Sequence, residues 1–352
     1  MIKRRSSRRL QIGRLFIGGL EPIAVQSMCN TDTRNIEQTV KQINCLEKAG
    51  CEIIRVAVPD LKAAKCLGVI KRSINLPLVA DIHFSHELAL EAIKQGVDKI
   101  RINPGNIGSE TKVKQVAEAA RAKNIPIRVG VNSGSLEKSI LAKHNHQATA
   151  AAMVESALKH IQLLEKFDFD QIVVSLKASD LHRTAEAYSL LAEQVDYPFH
   201  IGVTEAGPGL KGTVWSTLGI GFLLQQGLGD TVRVSLTDDP IAEVKTAWEI
   251  LKALDLRKRG VTITSCPTCG RTEIDLISLV KQAEEALADV DKDIHVAIMG
   301  CLVNGPGEAR EADLAVIGGR GQGLILRRGQ IVKRVQESDL IKALVDEVKR
   351  YQ

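Results

Sequence analysis

Short runs rich in β-branched residues alternate with longer stretches of helical periodicity from about residue 23 to 255. This is the pattern of parallel strands joined by crossover helices. The runs expected as strands are Ile23 to Met28, Ile53 to Val58, Leu78 to His83, Lys99 to Asn103, Ile127 to Asn132, Ile172 to Lys177, His200 to Glu205 and Val232 to Thr237. Between them apolar positions recur at helical spacing, as in Ser109 to Lys123, closed by Asn124 and Pro126, and in Ala148 to Lys166. Eight such units predict an α/β fold, a (β/α)8 TIM-type barrel. An open doubly wound sheet is the alternative, disfavoured because no glycine-rich nucleotide fingerprint follows the first strand.

After Leu254 the pattern changes. The charged stretch Asp255 to Gly260 leads into a strand, Val261 to Thr264, then a helix from about Ile274 to Val290 and strands at Ile294 to Met299 and Leu314 to Gly318. A hairpin around Arg328 and Gly329 and a final helix from Ser338 complete a small α+β domain. The expected division is residues 1–255 for the barrel and 256–352 for the second domain.

Polar residues gather where the barrel strands should end, the face that carries function in this fold. They are Gln26 and Asn30, Arg55, Asp81 and His83, Arg101 and Asn103, Arg128 and Asn132, Ser175 and Lys177, Thr204 and Glu205, and Arg233 and Ser235. A packed barrel should present Val, Ile and Leu on its buried positions, so repeated arginine needs a reason. Each Arg taken alone could pair with a neighbouring carboxylate. Taken together, Arg55, Arg101, Arg128, Lys177 and Arg233 outnumber the nearby Asp81 and Glu205. Guanidinium forks match phosphate oxygens, so a diphosphate or similar multiply charged anion is the expected occupant.

Cys266 and Cys269 have C-x2-C spacing, and Cys301 follows a predicted strand. Locally, C-P-x-C-G resembles a zinc knuckle. No second paired motif follows Cys301, and His295, the nearest other ligand type, falls inside a strand. A 4Fe-4S cluster can use three thiolates and leave one iron to another ligand, for which Glu308 in the loop Gly300 to Glu308 is in reach. Cys29, Cys45, Cys51 and Cys66 form no paired spacing and read as free thiols.

Composition narrows the classes. A hydrophobic fraction of 44% and a charged fraction of 25% are those of a soluble protein, and no stretch approaches a membrane span. The basic start, Met1 to Leu10, lacks the apolar region of a secretion signal, and seven cysteines in a chain of this size suit a reducing compartment, so the cytoplasm is expected. A net charge of +5 with only 3% aromatic residues argues against nucleic acid and for a small polyanion in one cleft.

Several motifs together resemble the 4-hydroxy-3-methylbut-2-enyl diphosphate synthase family, in its bacterial two-domain form. They are Val25 to Met28 with Asn30 to Thr33, Ala80 to Phe84, Arg101 to Asn106, Val203 to Gly207, Ser265 to Gly270 and Asn304 to Glu308. The resemblance runs along essentially the whole chain. It implies two-electron reductive ring opening and dehydration of 2-C-methyl-D-erythritol 2,4-cyclodiphosphate in the methylerythritol phosphate route to isoprenoids, with reduced flavodoxin or ferredoxin as donor. It also implies a 4Fe-4S cluster on Cys266, Cys269, Cys301 and Glu308. Substrate-binding positions fall on Arg55, Arg101, Arg128, Asn132, Lys177 and Ser235, with Asp81, His83, Thr204, Glu205 and Arg233 around them and Ser175 among the same strand ends. Glu205 is implied as proton donor to the leaving hydroxyl. Cys29 stands where the family more usually has Thr, and Leu302 where it has Val. A barrel transferase of the pterin-handling kind and a zinc-stabilised anion-binding module are the rival readings.

Barrel helices return the chain to the face opposite the expected site, and the six residues Asp255 to Gly260 span at most about 20 Å. A homodimer is therefore expected, with the cluster domain of one subunit serving the barrel of the other. The family resemblance agrees.

Overall fold

Crossover helices bring each strand back to the same end of a sheet, so the strands of the first unit pair in parallel. The computed structural model describes residues 2–303 and 305–351. The chain divides into two compact units, Met1–Arg257 and Lys258–Gln352. The first opens with a hairpin, β1 (Leu10–Ile12) and β2 (Leu15–Ile17), followed by β3 (Ala24–Met28), β4 (Ile53–Ala57), β5 (Leu78–Asp81), β6 (Lys99–Ile102), β7 (Ile127–Asn132), β8 (Ile172–Lys177), β9 (His200–Ile201) and β10 (Thr231–Val232). Strands β3 to β10 form one sheet in the order β8-β7-β6-β5-β4-β3-β10-β9. A parallel bridge from Val174 to Phe199 joins its two ends, which makes the sheet a barrel.

The crossover helices start on side chains that cap their free N–H groups. Asn35, Asp60, Ser85, Thr149, Asp180 and Asp239 each accept from the first turn of the helix they precede. The predicted helices 109–123 and 148–166 are observed as Glu110–Ala122 and Ala150–Glu165.

Two expectations need correction. The seventh and eighth strands were expected to run to Glu205 and Thr237, but β9 and β10 have two residues each. The chain leaves the sheet at Gly202, where the Arg233 carbonyl approaches so closely that a Cβ would not fit. Glu205 and Gly207 then take positive φ, 58° and 97°, and turn the chain outward. Thr204, Glu205, Arg233 and Ser235 thus sit on loops rather than strands.

The hairpin β1–β2 was not read from the sequence, because three-residue strands show no period. Its Leu10, Ile12 and Ile17 pack against Ala24, Ile53, Val79 and Val173, which lie at or near the starts of β3, β4, β5 and β8. The hairpin plugs the N-terminal end of the barrel. The basic start of the chain is tied down beside it: Arg4 pairs with Asp230, Arg5 donates to the carbonyls of Val195 and Tyr197, and Arg9 pairs with Glu21.

The second unit is a mixed sheet in sequence order: β11 (Val261–Ser265), β12 (Ile294–Met299), β13 (Leu314–Gly319), β14 (Gln322–Arg327) and β15 (Gln330–Gln336). The first three strands are parallel and the last two antiparallel. Helices Leu276–Leu287 and Leu340–Arg350 bury Leu279, Ala283, Leu344 and Val348 against Val296, Ile298 and Val316. The other face packs Ala297, Met299 and Ile317 on Ala309 and Ala312, with Cys266 in partial contact.

Candidate active site

Side chains alternate across a strand, so the charged residues of the barrel strands share one parity and turn into the lumen. In register, Met28 lies beside Arg55, Asp81 beside Arg101, Arg101 beside Arg128, and Asn132 beside Lys177. Arg55, Asp81, Arg101, Arg128, Ser175 and Lys177 are all buried.

Asp81 organises one side of this group. Arg101 Nη1 is 3.3 Å from its Oδ1, and His83 Nε2 and Arg55 Nε are 3.4 and 3.8 Å from its Oδ2. His83, though past the end of β5 and more than half exposed, also lies 3.2 Å from Arg101 Nη1. Burial alone would raise the Asp81 pKa, but Arg55, His83 and Arg101 hold its carboxyl well below the usual range.

Among the described residues Lys99, Arg128 and Lys177 have no carboxylate within ion-pair distance. Burial, then the charge of neighbouring arginines, pushes Lys177, Lys99 and Arg128 well below their ordinary values. Among the described residues, buried N–H groups at Arg101 Nε, Arg128 Nε and Nη1, and Arg233 Nε have no acceptor. Unpartnered buried donors are costly, so a set of them converging on one lumen marks a place built for acceptors that arrive from outside.

Some site residues escaped the sequence reading. Lys99, fully buried, donates to Gln26 Oε1 at 3.2 Å, and His200 is buried in the barrel too. Lys99 shares strand parity with Arg101, a signal that was available. Glu243 was not legible: it comes from the helix Pro240–Ala253, accepts from the Leu236 N–H at 2.9 Å, and stands near Arg233. Of the predicted residues, Asn132, Thr204 and Ser235 are half-buried, while Glu205 is exposed and, among the described residues, has no ion-pair partner.

In the second unit, the parallel pairing of β11 with β12 sets Ser265 beside Ile298. Cys266 and Cys301, which follow those strands, therefore emerge at the same end of the sheet. The Gly300 N–H donates to Cys266 Sγ at 3.4 Å. Cys269 sits in a turn closed by Thr272, whose hydroxyl accepts from the Cys269 N–H at 3.1 Å. The Arg271 N–H and side chain draw the Cys269 thiol below its ordinary value. Cys301 is buried, Glu308 ends the short helix Gly305–Glu308 and is exposed, and Asn304 of the same motif lies outside the described residues. Gly305 leaves no room for a side chain, since a Cβ would stand 2.7 Å from Ile317 Cγ2. Among the described residues no three His, Cys, Asp or Glu side chains stand close enough to hold a single metal ion. Three unpaired thiols and one exposed carboxylate are nonetheless a donor set that fits an iron-sulfur cluster, whose several irons spread their ligands more widely than one ion does.

Residues 7–248 match the family described as the GcpE TIM-barrel domain, and residues 262–350 match the GcpE protein C-terminal domain. The chain belongs to the GcpE family. Relatives of this GcpE chain named 4-hydroxy-3-methylbut-2-en-1-yl diphosphate synthase (flavodoxin) include one from Thermodesulfovibrio yellowstonii, 56% identical over 99% of this chain and 100% of its own. Another, from Geobacter sulfurreducens, is 55% identical over 98% of this chain and 97% of its own. Among solved structures, a Yersinia pestis dihydropteroate synthase overlays 71% of the GcpE chain and 98% of its own, at a TM-score of 0.51 and 13% identity. An N-acetylneuraminic acid synthetase from Leptospira borgpetersenii overlays 72% and 92%, also at 0.51, with 12% identity. These two likenesses speak to the barrel fold alone.

Proposed function

We propose that this chain is an iron-sulfur oxidoreductase that converts 2-C-methyl-D-erythritol 2,4-cyclodiphosphate to 4-hydroxy-3-methylbut-2-enyl diphosphate. The observation that carries this reading is the barrel lumen. Arg55, Lys99, Arg101, Arg128, Lys177 and Arg233 face only Asp81 and Glu243 as buried acids among the described residues, in a chain 56% identical to a relative of that name.

In the reaction the ring C–O bond to the diphosphate opens, two electrons are taken up, and a hydroxyl leaves as water. Arg55, Arg101, Arg128 and Lys177 bind the diphosphate, with Arg233 beside them and Asn132, Ser175, Thr204 and Ser235 supplying neutral hydrogen bonds. Asp81 fixes Arg101 and His83 at the distances given above, so those side chains need not reorganise when the anion enters. Glu205 donates the proton that the leaving hydroxyl needs. Its exposed carboxyl and its left-handed backbone support that role, because strain in a non-glycine residue persists where function holds it.

A 4Fe-4S cluster on Cys266, Cys269, Cys301 and Glu308 would supply the electrons one at a time, at an iron whose fourth ligand is an exchangeable carboxylate. Reduced flavodoxin or ferredoxin is the donor, and the relatives' printed name supports flavodoxin. The working unit is a homodimer in which the cluster domain of one subunit serves the barrel of the other. An exposed apolar stripe on the helix Gly209–Gln225, Leu210, Val214, Leu218 and Phe222, supports a self-complementary contact. No helix among the described residues is long and apolar enough to cross a membrane, and seven unpaired cysteines suit a cytoplasmic enzyme.

The test is anaerobic purification with iron, sulfide and zinc analysis, followed by turnover of the cyclodiphosphate with reduced flavodoxin. Stoichiometric iron and sulfide with turnover is expected. Colourless protein with stoichiometric zinc and no turnover would sink the reading.

A further inference from the structure

One lumen side chain outside the roles assigned above makes a contact that bears on anion binding. Met28 ends β3 directly beside Arg55 of β4. Arg55 turns two nitrogens, Nε and Nη2, to the Met28 thioether, with Sδ within hydrogen-bond reach of both. Its nearest carboxylate oxygen, Asp81 Oδ2, is 3.8 Å away.

That choice of partner is unusual. A thioether sulfur is a weak acceptor, whereas a carboxylate gives a buried guanidinium a charge-assisted bond about twice as strong as a neutral one. Asp81 is closer to Arg101 and His83, at 3.3 and 3.4 Å. Arg55 therefore keeps its fork ordered and buried on a weak acceptor, with Asp81 as a counter-charge that it shares with Arg101 and His83 and does not reach by a hydrogen bond.

We propose that Met28 is a positioning residue for the diphosphate, its sulfur holding Arg55 in the lumen and beyond hydrogen-bond distance of Asp81 until a phosphate oxygen takes its place. The inference rests on the reading of the lumen as a diphosphate site. Its physical content is an exchange of partners: a weak hydrogen bond is given up for a strong one, so little is lost when the anion enters. With leucine at this position Arg55 loses the sulfur and closes from 3.8 Å to a direct hydrogen bond with Asp81, which an incoming phosphate must then break. With glutamine an amide oxygen, a stronger acceptor than sulfur, retains Arg55 and competes with phosphate.

The experiment uses the anaerobically prepared holoenzyme. It measures KM and kcat with the cyclodiphosphate and, by calorimetry, Kd for inorganic diphosphate, in the wild type, Met28→Leu, Met28→Gln and Arg55→Ala. Leucine replaces methionine at nearly constant volume, so a pure packing role predicts little change. The expected result is a rise of about tenfold in both KM and Kd for each Met28 variant, the scale of one hydrogen bond to a charged group, with kcat within about twofold of wild type. Arg55→Ala should lose more. Should one Met28 variant fail to fold, the other still decides. Wild-type KM and Kd in a folded Met28 variant, or a fall in kcat at unchanged KM, would overturn the role. Wild-type enzyme that binds neither compound would overturn the diphosphate reading, and this inference with it.

Discussion

Lys177 carries the pH signature of the lumen. Its folded-state pKa lies well below the ordinary 10.5, through burial and the charges of Arg233 and Arg128. Between the depressed value and 10.5 the native state binds fewer protons than the unfolded chain, so the stability of the anion-free protein should rise with pH across that window. Affinity for diphosphate should fall over the same window as the ammonium is lost. Lys177→Arg keeps its charge and should move the alkaline fall in affinity to higher pH, as KM against pH would read; an unmoved profile would assign the fall to another group. The cysteines divide in the same way. Burial pushes the Cys29 and Cys51 thiols up to about 12, which makes poor ligands of them, whereas Cys269 is drawn down. Replacing Cys266, Cys269 or Cys301 with Ser should abolish bound iron and sulfide, and replacing Cys29, Cys45, Cys51 or Cys66 should not; iron analysis separates the two sets. Replacing Glu308 with Cys should retain iron and sulfide and abolish turnover, because a thiolate leaves a soft centre less readily than a carboxylate does.

At the scale of the element, glycines in the strands hold space for charge. A Cβ at Gly130 of β7 would stand 2.8 Å from Arg101 Nε. Gly130→Ala should therefore displace the Arg101 fork, raising KM about tenfold, the scale of one charged hydrogen bond, while the melting temperature moves only a few degrees. Thermal unfolding alongside kinetics checks both halves. The β1–β2 hairpin does the opposite task, filling space at the far end of the barrel. Ile12 and Ile17 are fully buried there, and truncating either to Ala should cost about 2–4 kcal/mol. A loss of under about 1 kcal/mol would mean the plug is not part of the core. The six barrel strands β3 to β8 were legible because each is a short, mostly buried run set off from the longer stretches of helical periodicity that follow it. The last two were overestimated because Val, Thr and Ile near Gly202 and Arg233 read as strand, although close backbone contacts there end the pairing.

For the whole molecule, two units with different side-chain chemistry share one chain. The barrel lumen holds the excess cations, and the second unit holds the free thiols of Cys266, Cys269 and Cys301. If the cluster domain of one subunit serves the barrel of another, specific activity should fall on dilution below the dimer dissociation constant. Constant specific activity in protein shown by light scattering to be monomeric would remove the dimer. Mixing inactive Cys266→Ser and Arg55→Ala subunits should restore turnover, since one hybrid site would combine an intact barrel with an intact cluster domain.

The sequence by itself determined the class of fold, the parity that turns Arg55, Arg101, Arg128 and Lys177 to one side, and the C-x2-C donor pair. Each of these depends on spacing along the chain, and spacing is local. Tertiary structure alone decided which charges meet. Asp81 is shared by Arg101, His83 and Arg55, Arg55 turns its fork to Met28, Glu243 reaches the Arg233 loop from a helix, and Glu205 stands exposed on a left-handed turn. Those pairings follow from barrel closure and strand register, which bring together side chains far apart in sequence and leave a buried cluster of cations short of acceptors.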